Sequence, residues 1–112
     1  MKKIEAIIRP EMLGIVKSAL EDMGLSGMTI TRVEGRGRQK GLVQKYNGKE
    51  YHVDFLSKVK VEIFVDDNEV EKAINTIQEA SATGQVGDGK IIIIPIEDVI
   101  RIRTKERGSK AL

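Results

Sequence analysis

Three short segments of this 112-residue chain carry the residue types that bind anions. Gly35-Arg36-Gly37-Arg38-Gln39-Lys40-Gly41 alternates glycines with cations. The backbone there can approach an anion closely while guanidinium and ammonium groups neutralise it. In Gly84-Gln85-Val86-Gly87-Asp88-Gly89-Lys90, successive N–H groups can converge as a nest, with Lys90 reaching a phosphate. Arg101 and Arg103 are two apart, so on a strand both point to one face and can clamp adjacent phosphates. Each segment also has a plainer reading, respectively a hairpin loop, a glycine-terminated helix end and a solvated edge strand. The first fits neither a dinucleotide fingerprint nor a phosphate-binding P-loop, since no GK[ST] is present and no helical pattern follows the glycines. Taken together, the three point to a phosphate-bearing ligand.

The rest of the composition removes competitors. No cysteine is present, which excludes disulfides, thiolate metal sites and cysteine nucleophiles. Lys and Arg outnumber Asp and Glu only as 19 to 17, so the cations act by placement rather than by sum, and a general nucleic-acid binder is not expected. The lone histidine, His52, has no cysteine or serine constellation around it and reads as a surface residue. Tyr46 and Tyr51 stand in a polar segment, as contact residues or as anchors of that segment. No run approaches the roughly 20 apolar residues of a membrane span, and residues 1–8 do not read as a signal peptide. A cytoplasmic protein of one domain, residues 1–112, is expected.

Positioning such segments requires a scaffold, and the periodicities supply one. Lys3 to Ile8 alternates as a strand that ends at Arg9-Pro10. Leu13, Val16, Leu20 and Met23 recur at helical spacing until Gly24. Met28 to Glu34 is strand-like, and residues 35–57 show no sustained periodicity and read as a long loop. Val59, Val61, Ile63 and Val65 alternate as a strand. Asp66-Asp67-Asn68 then offers an N-cap to a helix striped by Val70, Ala73, Ile74, Ile77 and Ala80. Lys90 to Ile94 forms a further strand, and Val99 to Arg103 a short final one. The order β-α-β, long loop, β-α-β predicts a ferredoxin-like α+β fold with two helices on one face of an antiparallel sheet. Ile91 to Ile94 sends isoleucines to both faces. The uncovered face therefore predicts self-association.

Read in order, these residues resemble the PII nitrogen-signalling proteins over almost the full chain. The carrying segments are Lys2 to Pro10, Gly27-Met28-Thr29, Gly35 to Gly41, Tyr51-His52-Val53-Asp54-Phe55, Lys58-Val59-Lys60, Thr83 to Lys90 and Arg101-Ile102-Arg103-Thr104. The resemblance implies a homotrimer of ferredoxin-like subunits with ATP or ADP bound in the clefts between neighbours. It implies nucleotide contacts at Thr29, Gly35, Gly37, Arg38, Gln39, Val65, Gly87, Asp88, Gly89 and Lys90, with Arg101 and Arg103 reaching in from the adjacent subunit. It also implies 2-oxoglutarate as effector at Gln39, Lys40, Gly41, Lys58 and Gly87, with Mg²⁺ shared between Gln39, the ATP phosphates and the 2-oxoacid. An effector loop of about 37–55 would then control an ammonium transporter, which would bring the protein to the membrane, or an enzyme such as glutamine synthetase. Tyr51 matches the tyrosine that some members have uridylylated or adenylylated. Asn47 stands where transporter-plugging members commonly present Arg, with Lys45 and Lys49 nearby, and Lys49 excludes seryl modification there. Ser57 replaces a frequent proline, and Arg36 stands where many members carry an apolar residue.

Two other classes compete. An RNA-binding ferredoxin-like module stacks bases on aromatics of its central strands, which here offer only Phe64. An enzyme needs an acid–base pair, and Asp88, the one carboxylate near the glycine clusters, reads as a turn residue. No enzymatic activity is expected.

Overall fold

Strand β1 (Lys2–Ile8) points Ile4, Ala6 and Ile8 to one side, where all three are buried. Its antiparallel neighbour β5 (Leu56–Val65) does the same with Val59, Val61, Ile63 and Val65. These seven aliphatic residues form the floor of the core. Against it lie α1 (Leu13–Asp22), which buries Val16 and Leu20, and α2 (Val70–Ser81), which buries Ala73 and Ile77. The predicted stripes are the packed ones: Met12, Leu13, Met23, Val70, Ile74 and Ala80 also touch this core. This computed structural model describes residues 1–36 and 56–112 in full and the backbone of residues 42–46 and 49–53.

Local chemistry sets the helix ends. A short 3-10 turn at Pro10–Met12 leads into α1, and proline at its first position forfeits no helical hydrogen bond. Gly24, at φ +91°, ends the helix with Gly24 N–H donating to the Glu21 carbonyl and Leu25 N–H to the Leu20 carbonyl. That is the Schellman arrangement, in which a left-handed glycine lets two orphan carbonyls be satisfied. Asp66 stands at the N-terminal boundary of the 3-10 turn Asp67–Glu69 before α2, with no side-chain capping bond.

Strand β2 (Thr29–Gly35) pairs with β5 on one edge, and β6 (Lys90–Pro95) pairs with β1 on the other. The order β2-β5-β1-β6, antiparallel throughout, is the ferredoxin-like sheet that the sequence predicts. Both helices lie on one face, so Lys3, Glu5, Ile7, Lys60, Glu62, Phe64, Ile92 and Ile94 share the other by register. Phe64 is 41 % exposed there and Ile92 37 %.

Two expectations need correction. Within the segment read as a loop, β3 (Leu42–Tyr46) and β4 (Lys49–Val53) pair antiparallel as a separate two-stranded sheet, with Tyr46 opposite Lys49. The periodicity missed these strands because each is five residues long and neither alternates apolar with polar. The signal available was Asn47-Gly48, a pair favoured in two-residue hairpin connections. The final strand Val99–Arg103 is absent. Residues 98–108 instead fold back on themselves, with a single bridge between Ile100 and Arg107. Asp98 organises this arm: it accepts hydrogen bonds from the N–H groups of Val99 and Gly108, and pairs with the Arg107 guanidinium at 2.5 and 2.8 Å. Arg101 N–H donates to the Glu106 carbonyl and Lys105 N–H to the Arg101 carbonyl, closing the turn.

Candidate functional site: a cation-walled cleft

A cleft of about 580 Å³ opens where β2 ends, beside the loop that joins α2 to β6. Ile7, Gly35, Arg36 and Lys58 line it together with Gln85, Val86, Gly87, Asp88, Gly89 and Lys90. Two of the three anion segments read from the sequence thus meet in space.

The loop is held by side chains on the sheet. Lys58 Nζ donates to the Gly87 carbonyl at 2.5 Å, and Arg9 Nη2 to the Val86 carbonyl at 2.9 Å. Because C=O and N–H point opposite ways across a trans peptide, fixing the Val86 carbonyl also fixes the direction of the Gly87 N–H. Asp88 closes the loop from within. Its carboxylate accepts from the N–H groups of Thr83 and Gly84 at 2.8 and 2.9 Å, and from the Thr83 hydroxyl. These bonds, with Arg9 Nε at 3.5 Å, hold its pKa down from the ordinary 3.8 to about 2. Asp88 is therefore a turn residue that is ionised near neutral pH. Arg9 Nε is buried and makes no hydrogen bond. Gly89 presses against β1: a Cβ there would lie 1.7 Å from the Ile7 carbonyl oxygen, and its φ is +103°.

The electrostatics favour an anion. Of the titratable groups lining the cleft, Arg36, Lys58 and Lys90 are cations, and the Asp88 carboxylate is already engaged by Thr83, Gly84 and Arg9. Burial, and then the neighbouring Arg9 charge, push the Lys58 ammonium below its ordinary value. An entering anion relieves that cation–cation repulsion. Among the described residues no group of three or more His, Cys, Asp or Glu could hold a metal ion.

The sequence-predicted residues divide into three groups. Gly35, Lys58, Gly87, Asp88, Gly89 and Lys90 come together in the cleft. Gly37, Arg38, Gln39, Lys40 and Gly41, and the side chain of Tyr51, lie outside the described residues. Thr29, Val65, Arg101 and Arg103 stand elsewhere in the same chain. Thr29 begins β2, roughly 20 Å of strand from Gly35. Val65 is a core residue, 2 % exposed, on the helix-facing side of the sheet. Arg101 and Arg103 sit on the projecting arm, which is a turn, so the shared strand face expected of them does not exist. Arg101 Nη2 donates to the Leu112 carbonyl at 3.0 Å, and Ile102 between the two arginines is 96 % exposed. Arg9 was not singled out as a site residue from the sequence, and Arg36 was read only as one cation of the first glycine segment. Arg36 carried a signal in its place between two glycines, whereas Arg9 takes its role from the loop that folds onto it.

The family model described as nitrogen regulatory protein P-II matches residues 1–106. Relatives of that name include proteins of Rhodospirillum rubrum, 56 % identical, and Azospirillum brasilense, 54 % identical, each covering all 112 residues and the whole of the relative. Nitrogen regulatory protein P-II 2 of Methanothermobacter thermautotrophicus is 52 % identical over all of this chain and 97 % of its own. The crystal structure of Arabidopsis thaliana PII bound to citrate superposes with a TM-score of 0.81, at 45 % identity, over 99 % of this chain and 91 % of that one. The fold, the paired glycine loops and these full-length matches agree, and the chain belongs to the nitrogen regulatory protein P-II family.

Proposed function

We propose that this protein is a nitrogen-status sensor that binds ATP or ADP in the cleft and, with Mg²⁺-ATP, 2-oxoglutarate. The observation that carries the reading is the convergence of the β2 end, Lys58 and the Gly87–Lys90 loop into one cation-walled cleft. Gly35, Gly87, Asp88, Gly89 and Lys90 would meet the phosphates together with Gly37, Arg38 and Gln39. Lys58, Lys40, Gly41 and Gly87 would serve the 2-oxoacid. A polycarboxylate is the ligand named for the plant relative, and an anion of that class suits these walls.

The donor chemistry suits a magnesium ion carried in by the nucleotide rather than one held by protein carboxylates. Asp88, the cleft's single described carboxylate, already accepts from Thr83 and Gly84. A hard cation would take oxygen from the phosphates and from the Gln39 amide. When bound, it would bridge nucleotide and oxoacid charge, while Lys58 neutralises the distal carboxylate.

Thr29, Arg101 and Arg103 do not line the cleft of their own chain, and in this reading Arg101 and Arg103 complete the cleft of a neighbour in a homotrimer. The segment of about 37–55 is the output element, acting on an ammonium transporter or an enzyme such as glutamine synthetase, with Tyr51 available for modification. The protein acts as a regulator rather than a catalyst, and residues 1–112 work as one domain. No helix of the described residues is long and apolar enough to cross a membrane.

Calorimetric titration of 2-oxoglutarate, run with Mg²⁺-ATP, with ADP and with neither, tests the reading. Heat only with Mg²⁺-ATP is expected. Equal binding without nucleotide would remove the metal bridge, and no ATP binding at all would overturn the assignment.

A further inference from the structure

Strand pairing in β2 stops at Gly35 opposite Leu56, and Arg36 is the next residue along the cleft wall. Gly35 contributes no side chain, and an added Cβ would stand 3.9 Å from Lys58 Cγ, so the wall is thin between the two cations. Lining the same cleft, and touched by Lys58, is the Gln85–Lys90 loop, whose only carboxylate, Asp88, is turned to Thr83, Gly84 and Arg9. Among the described residues no carboxylate lies within ion-pair distance of Arg36, Lys58 or Lys90. Lys58 donates to the Gly87 carbonyl, whereas Arg36 is exposed at the rim.

We infer that Arg36 is a specificity-determining residue of the cleft, a rim cation that selects ligands by the number of anionic groups in their phosphate chain. The inference deepens the nucleotide reading above and rests on it. A guanidinium offers a planar fork that takes two oxygens of a terminal phosphate, and it stays charged at every working pH. A rim position also lets it act on the end of a chain rather than on the groups seated against the Gly87–Lys90 loop. Each added phosphate therefore gains from Arg36, while a ligand without phosphates gains nothing. A positively charged side chain that merely sat in solvent would also grade with ligand charge, but it would not prefer the guanidinium fork to an ammonium.

The test compares wild type with Arg36→Met, similar in length but neutral, and Arg36→Lys, charged but without the fork. Adenosine, AMP, ADP, ATP and inorganic tripolyphosphate are titrated into each at two salt concentrations. Arg36→Met is expected to weaken ATP and tripolyphosphate by about 10- to 100-fold, the worth of a charge-assisted hydrogen bond. Its effect on AMP should be smaller and its effect on adenosine within about two-fold, and Arg36→Lys should fall between. The salt dependence of ATP binding should flatten in Arg36→Met, because exposed charges are screened. Equal losses across the series, or no loss on ATP, would overturn the inference. Tripolyphosphate binding that is lost in Arg36→Met, in a protein indifferent to the adenosine part, would sustain Arg36 and sink the adenylate reading. A wild type that binds neither ATP nor tripolyphosphate would end both.

Discussion

Asp88 and Arg9 do the structural work at the cleft without being suited to chemistry there. Asp88 is ionised down to about pH 2 because Thr83 and Gly84 donate to it, so a proton-shuttling role near neutrality is closed to it. Its pKa is lower folded than unfolded, so its stabilising contribution is present above the ordinary 3.8 and is lost as pH falls towards about 2. Above about pH 5 the contribution is constant. Asp88→Asn should therefore lower the thermal midpoint at pH 7 and narrow its gap from wild type as pH drops from 4 to 2. Scanning calorimetry of the two proteins across that range checks this, and a gap that stays constant with pH would mean the carboxylate charge contributes nothing. Asp98, held below its ordinary value chiefly by Arg107, titrates in both proteins alike and cancels in the comparison.

At the scale of elements, the cleft depends on how closely the α2–β6 loop meets β1. Gly84, Gly87 and Gly89 all have positive φ, and Gly89 has in addition no room for a Cβ against the Ile7 carbonyl. Gly89→Ala combines a left-handed backbone penalty of about 1–2 kcal/mol with overpacking of roughly 1–3 kcal/mol. Thermal melting should show a drop of about 10 °C or more, with anion affinity falling in parallel as the loop lifts. A variant with unchanged melting and affinity would mean the loop can shift without consequence. This glycine was legible in the sequence as part of a cluster, but its reason was not: the collision is with a residue 82 positions earlier in the chain, at Ile7. The same distinction runs through the fold. The stripes of α1 and α2 and the alternation of β1 and β5 were readable because each buries one face. The hairpin β3–β4 has no such face, and the arm at 98–108 is set by Asp98 meeting Arg107, a pairing that no periodicity announces. Of the site, the glycine and lysine anchors were readable by type, whereas the grip of Arg9 on the Val86 carbonyl exists only once the sheet and loop are together.

For the whole molecule, the open face of the sheet and the projecting arm pose one question. Lys3 bridges Glu5 at 2.8 Å and Glu62 at 3.7 Å, and Lys60 pairs with Glu62 at 3.2 Å, so the centre of that face is a self-neutralised charge network. Around it stand Phe64, Ile92 and Ile94, and Ile102 projects from the arm between Arg101 and Arg103. A neutralised polar centre with an apolar surround can be covered by another copy without stranding a charge. The trimer proposed above would do this, and it would also carry the arm's arginines to a cleft that lacks them in its own chain. The two consequences are then inseparable. Light scattering should give three times the chain mass at micromolar concentration. Phe64→Glu, which sets a third carboxylate beside Glu5 and Glu62, should shift that mass towards the single chain. ATP affinity should fall with it by about 10-fold or more, although Phe64 does not line the cleft described here. A monomeric wild type would remove the trimer. A dissociated Phe64→Glu protein that still bound ATP at full strength would show that Arg101 and Arg103 act outside the cleft, leaving the nucleotide site to a single chain.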